Sequence, residues 1–386
     1  MVKRHPLILS ALRHDIHASA ARWGLRHSGL DARWVVSPAD EGLAPVSLHS
    51  DGRSEWRASG WLDPADVSAV WFRRALRPEV FPRAPAGDAP FLRTEWARFL
   101  RNAHALADEL SSDRLWINRP SSAQAAENKL VQLQAARRAG LRFPPTLVSH
   151  DPDAIRRFAE RHRQVVYKPF MPHTWKDAAS GRMFSTFARI LEPDMLAHDD
   201  SLALCPGIYQ AYVDKECDVR VVAIGARLFA VRLAASSGEA FVDWRAHTYG
   251  QDLRAEVTEL PAGYQDGLRA LLAGLGLVFG CIDIALDRGG EPHFLEVNQA
   301  GQFLFLEDMV AATAGPDAAD AAAGGLPLLR AMCALLAEGR VDYSLDAIAD
   351  VSYAGYLASD AHAAWREEVS GDLEAANREG AWLTVE

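Results

Sequence analysis

The 386-residue chain is predicted to have an α+β fold, with a small α/β segment first and an antiparallel sheet in its second half. Three observations carry that expectation. Residues 208–213, 218–224 and 228–233 are consecutive apolar runs rich in β-branched residues, with a turn at Gly225, which is an antiparallel signature. Residues 281–286 and 293–298 read as a hairpin across Arg288-Gly289-Gly290. Before residue 118, short strand patterns alternate instead with helical spacing.

Taken in order, the apolar stretch Leu7-Ile8-Leu9 belongs to an opening strand over 6–10, followed by a helix over 17–28 that Gly29 ends. Residues 33–36 and 67–72 are further strands. Phe91, Leu92, Trp96, Phe99, Leu100, Ala103, Leu106 and Leu110 recur at helical spacing, so 89–110 is a helix. Asn118-Arg119-Pro120 has the turn chemistry of a boundary. A helix over 128–139 stops at Gly140, the C′ residue, and Pro144-Pro145 leads into a strand at 147–148. Residues 149–152 open a helix to about Arg161, and the strand 165–168 is stopped by Pro169. A helix over 264–275 ends near Gly276, and 326–336 is a closing helix. Residues 311–325, rich in Ala, Gly and Asp, read as a loose loop, and 341–386 as an extra tail.

The chain carries 41 Lys+Arg against 51 Asp+Glu, a net −10, which excludes a general nucleic-acid binder. The charge is uneven. Residues 1–118 hold a net +2 and the remainder a net −12, so the arginine-rich first segment is either a solvated surface or a docking face for an acidic partner. Cys205, Cys217, Cys281 and Cys333 form no C-x-x-C pair, so neither a disulfide framework nor a cysteine zinc site is indicated. With no signal-like or membrane-spanning run, a cytoplasmic location without membrane contact is expected.

The chemistry concentrates at Asp283 and Glu296-Val297-Asn298. Strand side chains alternate, so Glu296 and Asn298 share a face beside Asp283 across the hairpin. Two carboxylates and an amide oxygen make a hard, oxygen-only set that suits Mg²⁺ rather than zinc. The competing view is a solvated strand face, but a carboxylate inside Phe-Leu-Glu-Val needs a partner. Lysines are scarce. Lys129 opens a helix and Lys168 ends an apolar strand before Pro169; each alone reads as surface, but beside the acidic cluster the pair suits nucleotide triphosphate. No G-x-x-x-x-G-K-[ST] occurs, so this is not a P-loop enzyme. Cys281, on an apolar strand, reads as core.

Tyr167-Lys168-Pro169, Tyr209-Gln210-Ala211-Tyr212-Val213, Asp218-Val219-Arg220, Asp283 and Phe294-Leu295-Glu296-Val297-Asn298, in that order, resemble the ATP-grasp ligase signature. Within that superfamily the chain looks most like the ligases that macrocyclise ribosomal peptides, the graspetide or microviridin-type synthetases. The residues that carry this closer likeness are Val70-Trp71-Phe72-Arg73-Arg74, Asn128-Lys129-Leu130-Val131-Gln132-Leu133, Val242-Asp243-Trp244-Arg245, and 296–302 with Glu307. Position 299 is Gln where relatives often carry Pro, and the tail 341–386 has no counterpart.

The resemblance implies an ATP-grasp fold with a pre-grasp domain (1–118), a small lid subdomain (119–205), a catalytic subdomain (206–340) and an extension (341–386). It implies that Lys129 and Lys168 contact the phosphates of ATP, and that the backbone of Gln210, Ala211, Tyr212 and Val213 pairs with adenine. Arg220 and Arg245 would brace the γ-phosphate and the acyl phosphate, with Asp283, Glu296 and Asn298 holding Mg²⁺. Residues 171–185 would form a flap over the nucleotide. The expected activity is phosphorylation of Asp or Glu side chains in a ribosomal precursor peptide, with closure to macrocyclic esters or amides. The alternatives are an intermolecular ligase of the RimK or D-Ala-D-Ala type, joining a small amine to an activated carboxylate, and a scaffold that only binds peptide. A leader segment is expected to dock near Trp61, Trp71 and Phe72, and a homodimer to form through Trp96, Phe99 and Leu100 of the 89–110 helix.

Overall fold

Strand-forming runs before residue 118 are separated by helices, and such connections leave neighbouring strands parallel. The computed structural model describes residues 4–10, 13–36, 45–51, 54–56, 60–62, 66–73, 81, 83–110, 113–170, 174–176, 180, 182–186, 188–236, 242, 244, 253–314 and 325–378. In the first segment β1 (His5–Ser10), α1 (Ile16–His27), β2 (Arg33–Val36), β3 (Val46–Leu48), β4 (Ser54–Trp56), β5 (Gly60–Leu62), β6 (Val67–Phe72), α2 (Ala89–Leu110) and β7 (Leu115–Ile117) follow in order. β2-β1-β6-β7 is a parallel sheet, and β3-β4-β5 a small antiparallel one.

Next come α3 (Pro120–Ala126), α4 (Lys129–Arg138), β8 (Thr146–Ser149), α5 (Pro152–Arg161), β9 (Val165–Lys168), β10 (Thr174–Lys176), β11 (Met183–Ser185), β12 (Arg189–Ile190), α6 (Asp199–Leu204) and β13 (Gly207–Ala211). Helix α3 is an element the sequence pattern did not announce. The four-stranded sheet β12-β9-β13-β8 is antiparallel through β13. Of the three runs near Gly225, the first is therefore not part of the same sheet as the other two: 207–211 pairs with β8 and β9. This sheet extends past the expected division at 205–206. Helices α3 and α4 lie after the expected division at 118–119, yet Ala126, Leu133, Ala135 and Ala136 pack in the core of the following sheet.

The last part holds β14 (Lys215–Ile224), β15 (Arg227–Ala235), β16 (Leu253–Thr258), α7 (Ala262–Leu275), β17 (Phe279–Asp287), β18 (Pro292–Asn298), α8 (Phe305–Ala314), α9 (Leu328–Glu338), α10 (Tyr353–Leu357) and α11 (Asp360–Arg378). The sheet β16-β15-β14-β17-β18 is antiparallel throughout. One face packs on α4 and α7 through Val219, Val221, Ile282, Ile284, Leu268 and Leu271. The other joins the parallel sheet through Val222, Phe279, Phe303, Ile8, Trp71 and α9. Eight of the eleven residues of α9 are buried, which makes it the shared core helix rather than a closing surface helix. Burying each of its leucines stabilises the fold by about 1.5–3 kcal/mol.

Two expectations change here. Residues 311–314 are the last turn of α8, not part of a loop. The tail is not an appendage: Tyr343, Ile348, Val351, Tyr353 and Tyr356 sit in the shared core, and α1 crosses at Gly24, where a Cβ would stand 2.8 Å from both Cys333 Sγ and Val351 Cγ1. Farther along, Asp372 of α11 meets the buried His14 at 2.8 Å, and the Trp365 indole donates to the Arg13 carbonyl.

Glu307 locks this extension in place. Its Oε1 accepts from Leu329 N in the first turn of α9 (2.7 Å), and its Oε2 from Tyr353 N at the start of α10 (2.9 Å). Burial pushes its carboxyl up to about 7, although both backbone donors pull it down. A carboxyl raised in the folded state contributes stability that is full below its ordinary value of 4.5 and is lost as pH rises through about 7. Wild type should therefore lose on the order of 3 kcal/mol between pH 4.5 and 8 on this account. Glu307→Gln should be destabilised by about 1–3 kcal/mol at low pH, through one lost acceptor, and should lack that slope. Urea midpoints across the range check this, and parallel profiles would refute it.

Candidate functional site

Asp283 on β17 stands directly opposite Glu296 on β18, and Cys281 opposite Asn298. The register slips immediately afterwards: Ile284 faces Phe294, so Leu295 is the extra residue of a bulge. The slip decides the chemistry. Without it Phe294 and Glu296 would share a face; with it Phe294 is fully buried toward α7 while Glu296 and Asn298 face the opposite side. The Asn298 amide nitrogen donates to Glu296 Oε1 at 3.1 Å and reaches Asp283 Oδ2 at 3.5 Å. The three residues expected to form one cluster do so.

Two cations complete it. Arg220 of β14, opposite Asp283 in the register, donates from Nη1 to Asp283 Oδ1 at 2.7 Å, with both side chains over 90% buried. Its Nη2 donates to the Gln302 carbonyl (3.0 Å), and its guanidinium lies over the Trp244 ring, 5.4 Å from the centroid. Lys129 Nζ meets Glu296 Oε2 at 2.5 Å. Trp244 in turn stacks on Phe305. Gly301 is required here, since a Cβ would come 2.8 Å from Cys281 Cβ and 3.2 Å from Arg220 Nη2.

Side chains outside the expected set hold these groups in register. β18 is an edge strand, and Gln132 of α4 pairs with it like another strand: Oε1 accepts from Val297 N, and Nε2 donates to Val297 O and Ala126 O. Lys129 lies three residues earlier on the same helix face, which brings it to Glu296, next to Val297. Asn128 caps α4 by accepting from Leu130 N and Val131 N. Asn118 donates to Phe279 O and Gln299 O and accepts from Val278 N and Phe279 N, so the boundary residue stitches β7 to β17. Only the tripeptide's turn chemistry signalled Asn118, and Gln132 stood in the 128–133 motif with no role attached to it.

On the sheet β12-β9-β13-β8, Lys168 donates to Gln210 Oε1 at 2.7 Å, and Gln210 Nε2 donates to Thr146 Oγ1. Gln210 is buried and acts through its side chain. The Ala211 and Tyr212 N–H groups donate to the carbonyls of Pro145 and Gln164, so they are committed to backbone partners rather than offered to a base. A cleft of about 620 Å³ lies where chain segments 142–145 and 211–214 cross between the two sheets. Ala211, Tyr212, Val213, Phe143 and Pro144 line it, and none of the charged cluster does. The cluster, with its convergent charges, is the better candidate for chemistry.

Several expectations need correction. Within 171–185, expected as a flap, residues 174–176 and 183–185 form a two-stranded antiparallel sheet that pairs Thr174 with Ser185. Trp71 is 1% exposed in the shared core and so offers no docking surface, whereas Phe72 is half-buried and packs edge-on against His104. Leu100 is 4% exposed and belongs to the fold, not to a dimer face. Arg245 lies outside the described residues, as does the Trp61 side chain. Cys281 is fully buried with its thiol pushed up by burial, as core packing requires.

No protein-family model matches the chain. A glutathione synthetase from Nostoc sp. is 26% identical over 293 residues, which cover 74% of this chain and 81% of that protein. Among solved structures, the macrocyclase MdnC of Microcystis aeruginosa, bound with precursor peptide MdnA, superposes with a TM-score of 0.69 at 21% identity, covering 86% of this chain and 98% of MdnC. A peptide-associated ATP-grasp ligase of Chryseobacterium gregarium, in complex with ADP and a leader and core peptide, gives 0.68 at 22% identity, covering 86% and 96%. The fold is that of the ATP-grasp ligases.

Lys215 and Asp218 add a second buried pair beside the first. Lys215 Nζ lies 2.7 and 2.8 Å from the two carboxylate oxygens, both side chains are 5% exposed, and the ammonium also donates to the Val242 carbonyl. Lys215→Met should cost about 3–5 kcal/mol, because it removes the ammonium from which both oxygens of a buried carboxylate accept, whereas Lys215→Met with Asp218→Leu should recover most of that loss. Chemical denaturation of the single and double variants measures the coupling; additive losses would show that the pair does not act as a unit.

Proposed function

We propose that the chain is an ATP-dependent ligase that phosphorylates Asp or Glu side chains of a ribosomal precursor peptide and closes macrocyclic esters or amides. The observation that carries this is the charged cluster of Lys129, Arg220, Asp283, Glu296 and Asn298 on a fold shared with MdnC. The chemistry of the cluster fits Mg²⁺: two carboxylates and an amide come together on one face, and hard oxygens are the donors that ion takes. Asp283, Glu296 and Asn298 would hold the ion, which would neutralise charge on the transferred phosphoryl group.

In the reaction a substrate carboxylate oxygen attacks the γ-phosphorus, the bond to the bridging oxygen breaks, and ADP leaves. A peptide hydroxyl or amine then attacks the acyl carbon, loses its proton, and expels phosphate. Each ring therefore removes one water from the peptide. Lys168, held by Gln210, and Lys129 bring charge to the phosphates from the lid and the catalytic sheet. Arg220 and Arg245 orient the acyl phosphate, for which a planar donor fork is suited. No group on this chain needs to form a covalent intermediate, because catalysis rests on positioning and charge neutralisation.

The parts of the chain take the roles of pre-grasp domain, lid and catalytic subdomain, and the enzyme works as a homodimer in the cytoplasm. Among the described residues no helix is long and apolar enough to cross a membrane, and all four cysteines are free. A second reading, an intermolecular ligase, is favoured by the likeness to a glutathione synthetase. Mass spectrometry separates the two readings. Loss of water from the peptide supports ring closure, whereas gain of an added amine supports the second.

Glu296→Gln keeps the shape and removes one charge. It should lower peptide-dependent ADP release by roughly 10²–10³ while leaving peptide affinity nearly unchanged, and Asn298→Ala should act in the same direction. Near-normal ADP release by Glu296→Gln would overturn the site assignment. The net +2 of the first segment suits an acidic leader, so deleting the leader should weaken modification more than changing residues that flank the rings. Equal processing of a leaderless peptide would exclude leader docking.

A further inference from the structure

We infer that Lys129 is the internal counter-cation of Glu296 and is handed over to the nucleotide's phosphates, so that a divalent cation binds tightly only together with the nucleotide. The inference rests on the reading that Asp283, Glu296 and Asn298 hold that cation.

All four carboxylate oxygens of the cluster already have a partner. Asp283 Oδ1 accepts from Arg220 and Oδ2 faces the Asn298 amide; Glu296 Oε1 accepts from the same amide and Oε2 from Lys129. Each carboxylate faces a cation, Asp283 the Arg220 guanidinium and Glu296 the Lys129 ammonium. A divalent cation that enters with both in place meets two positive charges within a few ångströms.

The two cations are not equally movable. Arg220 is over 90% buried and pinned by the Gln302 carbonyl and the Trp244 ring. Lys129 is 21% exposed, on a flexible four-carbon stem, and Glu296 is 18% exposed. Lys129 is also the first residue of α4, a ten-residue helix, and a helix start disfavours a cation. Glu296 offsets that cost in this structure. Phosphate oxygens arriving at the same place would offset it better, because the helix start favours anions and the phosphates carry excess negative charge. When they draw the ammonium away, Glu296 Oε2 is released to the cation. The coupling is reciprocal, so the cation raises nucleotide affinity by the same factor.

The test counts Mn²⁺ binding to the full chain by electron paramagnetic resonance, without peptide, so no turnover enters. Without nucleotide, Lys129→Met and Lys129→Gln should bind Mn²⁺ about tenfold or more tightly than wild type, and Lys129→Arg should match wild type. With ADP present, wild type should tighten by a comparable factor and Lys129→Met should show little further gain. Thermal melts of all variants establish that each is folded. Equal nucleotide-free Mn²⁺ affinity in wild type and both neutral variants would overturn the counter-cation role while leaving the metal site standing. Failure of any form to bind Mn²⁺, even with ADP, would overturn both.

Discussion

The rest of the site depends on one constraint: a carboxylate taken out of water has to be paired. Asp283 sits on β17, a strand whose other residues are almost all apolar and buried, and Arg220 from the neighbouring β14 answers it in register. Such a pair adds little net stability, since desolvating two ions roughly cancels their attraction. It is better understood as fixing geometry. With Arg220 committed to Asp283 and to the Gln302 carbonyl, the chain leaving β18 is held against the strand that bears the acid.

The surrounding scaffold serves that geometry. A bulge at Leu295 sends Phe294 into the α7 side of the sheet and leaves Glu296 and Asn298 beside Asp283. Gln132 closes the open edge of β18 with three backbone hydrogen bonds, counting its bond to Ala126, and so sets α4 at the height where Lys129 reaches Glu296. Asn118 ties the parallel sheet to the same hairpin. Behind the cluster, α9 and the aromatic contacts of Phe303 with Trp71, His17 and Phe279 join the two sheets into a single core. The C-terminal extension docks on that core through Glu307, Tyr353 and Tyr356, with α11 over the β1–α1 connection.

The sheet β12-β9-β13-β8 joins this body through segments 142–145 and 211–214, so Lys168 and Gln210 belong to a different element from Lys129 and Glu296. One lysine on each side of a crossing point is an arrangement suited to gripping an extended polyanion. The Lys129–Glu296 and Arg220–Asp283 contacts give each acid a cationic partner, which explains how two acids can lie close together on one strand pair.

Much of this was legible in the sequence, because it depends on local spacing. The i, i+2 alternation placed Glu296 with Asn298, the Gly289-Gly290 turn gave the hairpin that brings Asp283 alongside, and the rarity of lysine singled out Lys129 and Lys168. Helices with clear caps, such as those begun by Asp15 and Asn128, were found to within a residue or two. What only the tertiary structure decided involves partners far apart in the chain. The pairing of strand 207–211 with β8 and β9, the burial of Trp71 and Leu100, the anchoring of residues 341–378 on α1 and α9, and the roles of Gln132, Asn118 and Lys215 were all of this kind. Apolar periodicity shows that a face will be buried but not against what, and a polar side chain carries no local mark of the distant backbone it will satisfy.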